Sequence, residues 1–423
     1  MPNQPLDRPS ATAAEIKVLR DLARRKAELL ADPTIIERTR LWKKHNALEQ
    51  ERPMLLVYPE GGWQDLLDAD DSLRVHCSDP LLGPIEWELR DELYTFEHFD
   101  ADNVPMPAIN VPKAISDTGW GVEARWKMSQ QAHGAKRFDP VIAEEPDLEK
   151  MKFPEVSHDA ELSQRRLETV SEIFDGILPV RLVGINHVSF HLFNQWTALR
   201  GLEEVLMDMI AEPDFTHRAI SFLAEGNRRL VEQYERMGLL DFNHDNTYHS
   251  TGGNGWLETC PGPAPVPGQP ATRAQMWASA EAQELTVVSP AMHEEFALRY
   301  EKALLEPFAL TGYGCCEDIT DKCGLVMDIP HIRRISISPF TNVARTATQI
   351  GNRAIYSWKP RPTDLVGQFN PDRIRSYLRE NIAECRKAGC NFEVILKDTH
   401  TCEGHPERFD HWSRIAREEI NRG

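Results

Sequence analysis

Thiol, imidazole and carboxylate side chains follow several short apolar runs of the sequence. Cys315 and Cys316 follow one such run, and His400 and Cys402 follow another. These ligand types together suit a borderline-soft divalent ion, most commonly zinc, which keeps an open coordination position when it is catalytic. If the chain is extended at His400 and Cys402, their spacing puts both side chains on one face. The sequence therefore predicts a zinc site assembled from distant segments.

The eight cysteines contain no Cys-x-x-Cys pair. A zinc ribbon, a ferredoxin-type cluster and a thioredoxin motif are therefore unsupported. Cys315 and Cys316 point in opposite directions if the chain is extended there, so we expect one of the two to bind a metal easily.

The short apolar runs are bounded by proline, glycine or polar residues, as is typical of strands buried on both faces. Helical periodicity falls between several of them, and parallel neighbouring strands need such crossovers. Eight units favour a closed sheet, so the sequence predicts an α/β fold, a (β/α)8 TIM-type barrel. The predicted strands are 52–59, 102–111, 178–185, 239–245, 307–313, 334–338, 354–358 and 392–397, and the predicted helices between them are 159–175, 201–236, 290–305 and 371–388.

Residues 13–50 show helical periodicity in two pieces, with a break at Asp32-Pro33. We therefore predict an N-terminal helical extension over 1–50 and a barrel domain over 51–423. The connection 250–288 contains five prolines and a glycine cluster, so we expect a semi-rigid loop over one mouth of the barrel. A surface decoration or a subunit contact is the alternative for this loop.

Composition limits the class of ligand. Lys plus Arg number 48 against 66 Asp plus Glu, a net charge of −18, which argues against nucleic acid or anionic lipid as partners. No apolar run is long enough for a membrane span, and the first residues lack the pattern of a signal peptide. We expect a cytoplasmic protein that acts on a small molecule, with an isologous homodimer as the default assembly.

Nucleotide-binding and hydrolase motifs are missing where an open sheet would carry them. The residues after the first predicted strand, Pro59–Trp63, contain no glycine-rich phosphate loop, and the chain has no Gly-x-Ser-x-Gly elbow.

In a (β/α)8 barrel the active site lies at the carboxyl ends of the strands. This rule selects Glu60, Asp245 and His249 as predicted catalytic residues. His249 and its neighbour His244 have an alternative role as hydrogen-bonded core residues. The predicted substrate-binding residues at the same edge are Trp63, Asn186, His187 and Asn246.

Several of these segments resemble the uroporphyrinogen decarboxylase superfamily, which includes corrinoid- and thiol-dependent methyltransferases and is related to cobalamin-independent methionine synthase. The similarity is faint and extends over roughly residues 50–420. The segments that carry it are 190–236, 289–305, Cys316, Gly351-Asn352-Arg353-Ala354 and Cys402.

The resemblance implies a (β/α)8 barrel and, in the methyltransferase branch, zinc held by cysteines at two strand ends, where Cys316 and Cys402 fall. Gly314 stands where that branch has a histidine, so the remaining ligands must come from Glu317, His400 or a histidine of the fourth strand. True decarboxylases of the family have an arginine-rich segment after the first strand. Here Glu60 lies there and would repel the carboxylates of a porphyrinogen.

The expected function is a zinc-dependent methyltransferase that acts on a small O-, S- or N-methyl compound. Cobalamin is expected on a separate corrinoid protein that accepts the methyl group. One alternative is a metal-free decarboxylase or lyase in which Asp245 stabilises developing charge. Another is a catalytically inert binding protein.

Metal analysis of the purified protein tests the predicted zinc site of Cys316, Cys402, His400 and Glu317. We expect about one zinc ion per chain, with less in Cys316→Ser and in Cys402→Ser, because thiolates are the preferred ligands of this ion. Cys77→Ser is the control variant, since Cys77 lies outside the predicted strand ends. Full activity in protein free of metal would contradict the prediction.

Overall fold

The structure is a computed structural model that describes residues 11–127, 137–249, 252–266 and 268–422. Within these residues the strands are β1 (Met54–Val57), β2 (Ile109–Pro112), β3 (Ala114–Asp117), β4 (Arg125–Lys127), β5 (Arg137–Asp139), β6 (Val156–Asp159), β7 (Val180–Val183), β8 (Ser189–Phe190), β9 (Trp277–Ala280), β10 (Leu310–Tyr313), β11 (Ile332–Ile337), β12 (Ile355–Trp358) and β13 (Asn391–Leu396).

Helices occupy most of the connections between these strands. They are α1 (Ala13–Leu30), α2 (Pro33–Asn46), α3 (Trp63–Ala69), α4 (Leu82–His98), α5 (Ala160–Phe174), α6 (Leu192–Arg200), α7 (Leu202–Ala211), α8 (Pro213–Arg236), α9 (Pro290–His293), α10 (Arg299–Leu305), α11 (Cys323–Val326), α12 (Val343–Ile350), α13 (Pro371–Lys387) and α14 (Glu407–Asn421), with a π-helical stretch, Glu294–Leu298, between α9 and α10.

Seven of the described strands form one parallel sheet in the order β1-β13-β12-β11-β10-β9-β8. Strands β2 and β7 form a separate parallel pair, and β3–β6 and β4–β5 are antiparallel pairs. The predicted α/β class with parallel strands is confirmed. The pairings found in the described residues leave the large sheet open, so the closed barrel stays a prediction.

The first helix ends and the second begins at the break that the sequence predicts at Asp32-Pro33. Thr12 and Glu15 form a capping box at the start of α1, and Asp32 caps α2 with Pro33 in its first turn. Trp42 of α2 is fully buried and shares a core with Met54 of β1. The helices therefore pack against the sheet domain, and the predicted division at residue 50 stays a prediction.

Successive side chains of β13 point to opposite faces of the sheet, and the two faces have different surroundings. Phe392 and Leu396 pack in the same core as Trp412 of α14, whereas Glu393 lies on the opposite side of the sheet. We call this opposite side, where Arg334, Ser357 and Glu393 lie, the inner face. It is unusually polar for a parallel sheet buried on both faces.

A buried ion pair joins two strands on the inner face. Arg334 Nε of β11 lies 3.1 Å from Glu393 Oε1 of β13, and both side chains are at most 1% exposed. His45 and Asn46 of α2 complete the cluster: His45 Nε2 lies 3.0 Å from Glu393 Oε2, and Arg334 Nη2 donates to Asn46 Oδ1 at 2.6 Å. The end of α2 is thus part of the interior of the domain.

The predicted strand 239–245 is wrong apart from one bridge, Ile185 to Leu240. Beyond that bridge the side chain of Asn243 replaces a strand: its Nδ2 donates to Trp277 O at 2.9 Å, and its Oδ1 accepts from Trp277 N at 3.0 Å. Strand β9, which begins at Trp277, lies inside the stretch predicted as a long loop. That stretch is therefore shorter than predicted.

The glycine cluster of the proline-rich loop lies against the inner face. A Cβ atom added to Gly252 would lie 2.7 Å from Lys359 Nζ, and one added to Gly253 would lie 2.6 Å from Arg334 Cζ. Both glycines have positive φ, 106° and 68°, so side chains are excluded by backbone conformation and by space. Residues 250, 251 and 267 of the loop lie outside the described residues.

None of the helices in the described ranges has the length and apolar character needed to cross a membrane.

Replacing Glu393 by glutamine tests the buried cluster. The change leaves the Arg334 charge buried without its partner, so the free energy of unfolding should fall by about 3–5 kcal/mol. The exposed pair Asp21–Arg24 gives the control: Asp21→Asn should cost less than about 1 kcal/mol. Urea denaturation measures both, and equal losses in the two variants would contradict the assignment.

The ion pair between Arg334 and Glu393 predicts that the stability of the protein depends on pH. Burial alone would raise the pKa of Glu393, but Arg334 and His45 lower it from 4.5 to about 2. A carboxylate with a lowered pKa adds stability that is present above about pH 5 and is lost as the pH falls toward the folded-state value. The stability difference between the wild type and Glu393→Gln should therefore shrink over this range.

Candidate functional site

Two adjacent thiols lie at the carboxyl end of β10. Gly314 has a φ of 91°, which turns the chain after the strand. The sulfur atoms of Cys315 and Cys316 are 3.5 Å apart, and Cys316 Sγ lies 3.6 Å from Asp398 Oδ2, which follows β13. We call Cys315, Cys316 and Asp398 the thiol centre.

The two thiols differ in acidity. The hydrogen bond from Cys316 lowers the pKa of Cys315, and the nearby Lys397 ammonium lowers it further, against the opposing effect of burial. The same hydrogen bond raises the pKa of Cys316, as does burial. Cys315 is therefore the thiol that ionises first, and the thiolate is the nucleophilic and metal-binding form of cysteine.

Glu60, a predicted catalytic residue, lies beside the thiol centre. Its Oε2 accepts a hydrogen bond from Asp398 N at 2.6 Å, which connects the end of β1 to the end of β13. Burial raises the pKa of Glu60, and Lys397 opposes that rise. Asp398 thus connects Glu60 to Cys316, and the catalytic role of Glu60 stays a prediction.

Glu317 lies below the thiols and is 1% exposed. Its Oε2 accepts a hydrogen bond from Cys315 N at 2.7 Å, and its Oε1 has no hydrogen-bond partner among the described residues. Burial and the neighbouring Glu281 raise its pKa to about 7. Glu281 in turn accepts from His191 at 2.5 Å.

The other two predicted zinc ligands have different surroundings. Cys402 is fully buried, and its backbone N donates to Asp65 Oδ2 at 2.6 Å. Burial and Asp65 raise the pKa of its thiol to about 11. His400 is exposed, and its backbone packs against Gly61.

The geometry of the chain after β13 explains this placement. Asp398 has a φ of 59° and Glu403 a φ of 57°, so the segment that carries His400 and Cys402 is not an extended strand. The one-face rule for alternate residues therefore does not apply to it. In the described part of the chain, no three or more His, Cys, Asp or Glu side chains are grouped to hold a metal ion.

The predicted site residues near the predicted strand 239–245 form a hydrogen-bonded group. Asp245 Oδ2 accepts from Arg181 Nη2 at 2.6 Å, and its Oδ1 accepts from Thr247 Oγ1 at 2.6 Å. Asn186 Nδ2 donates to the same Thr247 hydroxyl at 3.3 Å. His187 Nδ1 lies 3.2 Å from the carbonyl oxygen of Tyr248.

His249, a predicted catalytic residue, is buried. Burial and Arg334 lower its pKa well below the ordinary value, so the ring is neutral. Its centroid is 5.2 Å from that of Trp277, and its Nε2 has no hydrogen-bond partner in the described structure.

Trp63 and Asn246, both predicted substrate-binding residues, line one cavity of about 190 Å³. Tyr58 and Tyr248 line it too, with ring centroids 4.9 Å apart. Tyr248 also faces Lys397, whose Nζ lies 6.0 Å from the ring centroid. The cavity is thus next to the thiol centre, and we call it the aromatic cavity.

Sequence reasoning missed Lys397, Tyr248 and the pairing of Cys315 with Cys316. Asp398 and Cys315 were among the polar residues that follow predicted strands, so the strand-end rule reaches them. Tyr248 has no comparable signal, because it lies in an irregular segment where no periodicity defines the direction of a side chain.

Comparisons with known proteins identify no family. No family model and no curated protein sequence matches the chain. Among solved structures, a methyltransferase from Methanosarcina mazei is similar, with 12% sequence identity, a TM-score of 0.48, and coverage of 90% of this chain and 97% of that chain. A likeness this distant leaves the activity to be argued from the site itself.

Replacing Lys397 by methionine tests the electrostatics of the thiol centre. Loss of the ammonium should raise the pKa of Cys315 and slow its alkylation at neutral pH by about tenfold per pKa unit. Alkylation by iodoacetamide, followed by peptide mass spectrometry across a pH series, measures this. Lys387→Met, which removes an exposed ammonium, should leave the profile unchanged. An unchanged profile in Lys397→Met would contradict the assignment.

Proposed function

We propose that this protein is a methyltransferase for a small methylated compound, with the thiol centre as its reaction centre. The observation that carries the proposal is the pair of sulfur atoms, 3.5 Å apart, at the carboxyl end of β10. The family resemblance of the sequence supports it, because the methyltransferase branch has a zinc-binding cysteine at the position of Cys316.

Sulfur at this position suits methyl transfer in two ways. A thiolate is a strong nucleophile toward methyl groups, and it is also a preferred ligand of zinc. The lowered pKa of Cys315 makes its thiolate easier to form than that of an ordinary cysteine. Methyl transfer needs little further proton chemistry, which agrees with a centre where Lys397 supplies charge.

Zinc held by Cys316, Cys402, His400 and Glu317 does not fit the placement of these side chains. Cys402 contacts Asp65, and His400 is exposed, so the donors near Cys316 do not complete a set of three in the described residues. We derive no step through zinc, and the ion stays a prediction for metal analysis. A corrinoid protein as the methyl acceptor stays a prediction as well.

The fold part of the proposal is that the seven-stranded sheet and the β2–β7 pair belong to one (β/α)8 barrel. Two contacts support closure: Asp102 N donates to Leu55 O at 2.6 Å beside β1, and Ile185 forms a bridge with Leu240. Closure would place the aromatic cavity and the thiol centre at one mouth.

The alternative, a metal-free lyase, requires Asp245 to face developing charge. Asp245 is instead neutralised by Arg181 and hydrogen-bonded to Thr247. We therefore do not advance the lyase as a second function.

The test is methyl transfer to cob(I)alamin, used in place of a corrinoid protein, from methanol, dimethyl sulfide or choline. In this reaction the Cys315 thiolate attacks the methyl carbon, and the oxygen, sulfur or nitrogen leaves with the pair of the broken bond. Cobalt then donates its electron pair to the methyl group, and the thiolate leaves with the pair of the carbon–sulfur bond. Absorption of methylcobalamin under anaerobic conditions measures the rate.

We expect wild-type protein to form methylcobalamin from at least one donor. Cys315→Ser and Cys316→Ser should each reduce the rate by about 100-fold or more, since each removes a group at the reacting centre. Cys260→Ser is the matched control, because Cys260 lies in the proline-rich loop away from the thiols. No product from any donor, or full activity in both serine variants, would overturn the proposal.

A further inference from the structure

The aromatic cavity combines aromatic walls with two carboxyl groups. Tyr58, Trp63, Phe96 and Tyr248 line it, and Asp91 and Glu92 of α4 lie in the same lining. Trp63 is held in place by edge contacts with Trp87 and Tyr94, whose ring centroids are 5.2 and 5.6 Å away. Three of the lining rings thus belong to segments next to the strand ends and one to α4.

Asp91 lacks a cationic partner in the described part of the chain. Its one hydrogen bond there is a long one, 3.4 Å from Thr95 Oγ1. The neighbouring Glu92 differs, since Lys26 Nζ lies 2.6 Å from its Oε2. Burial and Glu88 raise the pKa of Asp91 to about 7. A half-buried carboxyl group without a counter-ion is costly to ionise, and a cation bound beside it would reduce that cost.

Aromatic faces attract cations through their quadrupole, and quaternary ammonium groups are recognised in this way. An ion such as Na⁺ would use the oxygen atoms of the lining, such as those of Asp91, Glu92 and Asn246, but it would leave the four aromatic walls unmatched. The lining therefore favours a cation that carries apolar substituents.

The volume limits the size of this ligand. At about 30 Å³ for a water-sized group, 190 Å³ holds about six such groups. A trimethylammonium group with up to three further heavy atoms, as in choline, fills this space, and a nucleotide or a porphyrinogen exceeds it.

We propose that the aromatic cavity binds a small methylated ammonium compound, with Asp91 as its counter-ion and Tyr58, Trp63 and Tyr248 as its walls. The inference rests on the proposed function and narrows it, because it makes an N-methyl compound the methyl donor. Tyr248 borders both the cavity and Lys397 of the adjacent site, so a ligand in the cavity lies next to the thiol centre.

Isothermal titration calorimetry with choline, in the absence of a methyl acceptor, tests the inference. The comparison ligand is 3,3-dimethylbutan-1-ol, in which carbon replaces the charged nitrogen and the shape is kept. At pH 8, where Asp91 is ionised, wild-type protein should bind choline about tenfold or more tightly than the alcohol, since cation–π and charge contributions add to apolar burial.

Two variants separate charge from aromatic surface. Asp91→Asn should lose about tenfold in choline affinity and leave alcohol binding unchanged, whereas Trp63→Leu should weaken both ligands. Asp71→Asn, which removes an exposed carboxylate from the turn before α4, is the control and should bind like the wild type. Thermal unfolding checks that each variant is folded, and Trp63→Leu keeps the test decisive if Asp91→Asn does not fold.

Equal affinities of wild-type protein for choline and the alcohol, or unchanged choline affinity in folded Asp91→Asn, would overturn the inference. These outcomes are independent of methyl transfer. Protein that binds choline as expected but transfers no methyl group keeps the cavity assignment and loses the proposed function. Protein that transfers methyl from methanol and does not bind choline loses only the inference.

Discussion

The pair Arg334–Glu393 determines how the interior of this domain is organised. The inner face of the sheet carries charge, so a segment that approaches it supplies a hydrogen bond, comes without a side chain, or presents a ring face as Trp277 does to Arg334. Asn46 at the end of α2 supplies a hydrogen bond, and Gly252 and Gly253 have no side chain. The N-terminal helices and the proline-rich loop, which are far apart in sequence, thereby meet in one polar interior.

The carboxyl ends of the strands are shaped by left-handed backbone positions. Glu60, Gly314 and Asp398 all have positive φ, and each directs the chain away from its strand within a few residues. These turns bring the side chain of Glu60 to the backbone N of Asp398, and the side chain of Asp398 to the thiol of Cys316. Two of the three positions are not glycine, and such strain is found more often at functional sites than elsewhere.

Much of the fold could be predicted from sequence because proline and glycine bound its strands. The break at Asp32-Pro33 and the proline-flanked run of β1 are where the pattern puts them. Strand β9 was missed because Trp277-Ala-Ser-Ala contains one large residue and no β-branched residue, so no apolar run stands out.

The site was predictable in its location and less so in its pairings. The strand-end rule selected the segments that carry Glu60, Cys316 and Trp63. It could not pair Cys316 with Cys315 and Asp398, because alternation of side chains holds only in an extended chain and fails at the positive φ of Gly314 and Asp398. The strand-end rule could not select Asp91, because this residue lies on a helix, where carboxylates are usually solvated.

The amide of Asn243 has a consequence for motion in the domain. It forms two hydrogen bonds with Trp277 where a neighbouring strand would form a ladder. A ladder spreads its hydrogen bonds over a whole strand, whereas this seam depends on the amide of one side chain, which also donates to Asn186 O at 3.0 Å. Local fluctuation should therefore concentrate at this seam. The amide proton of Trp277 should exchange with solvent sooner than those at the centre of the sheet.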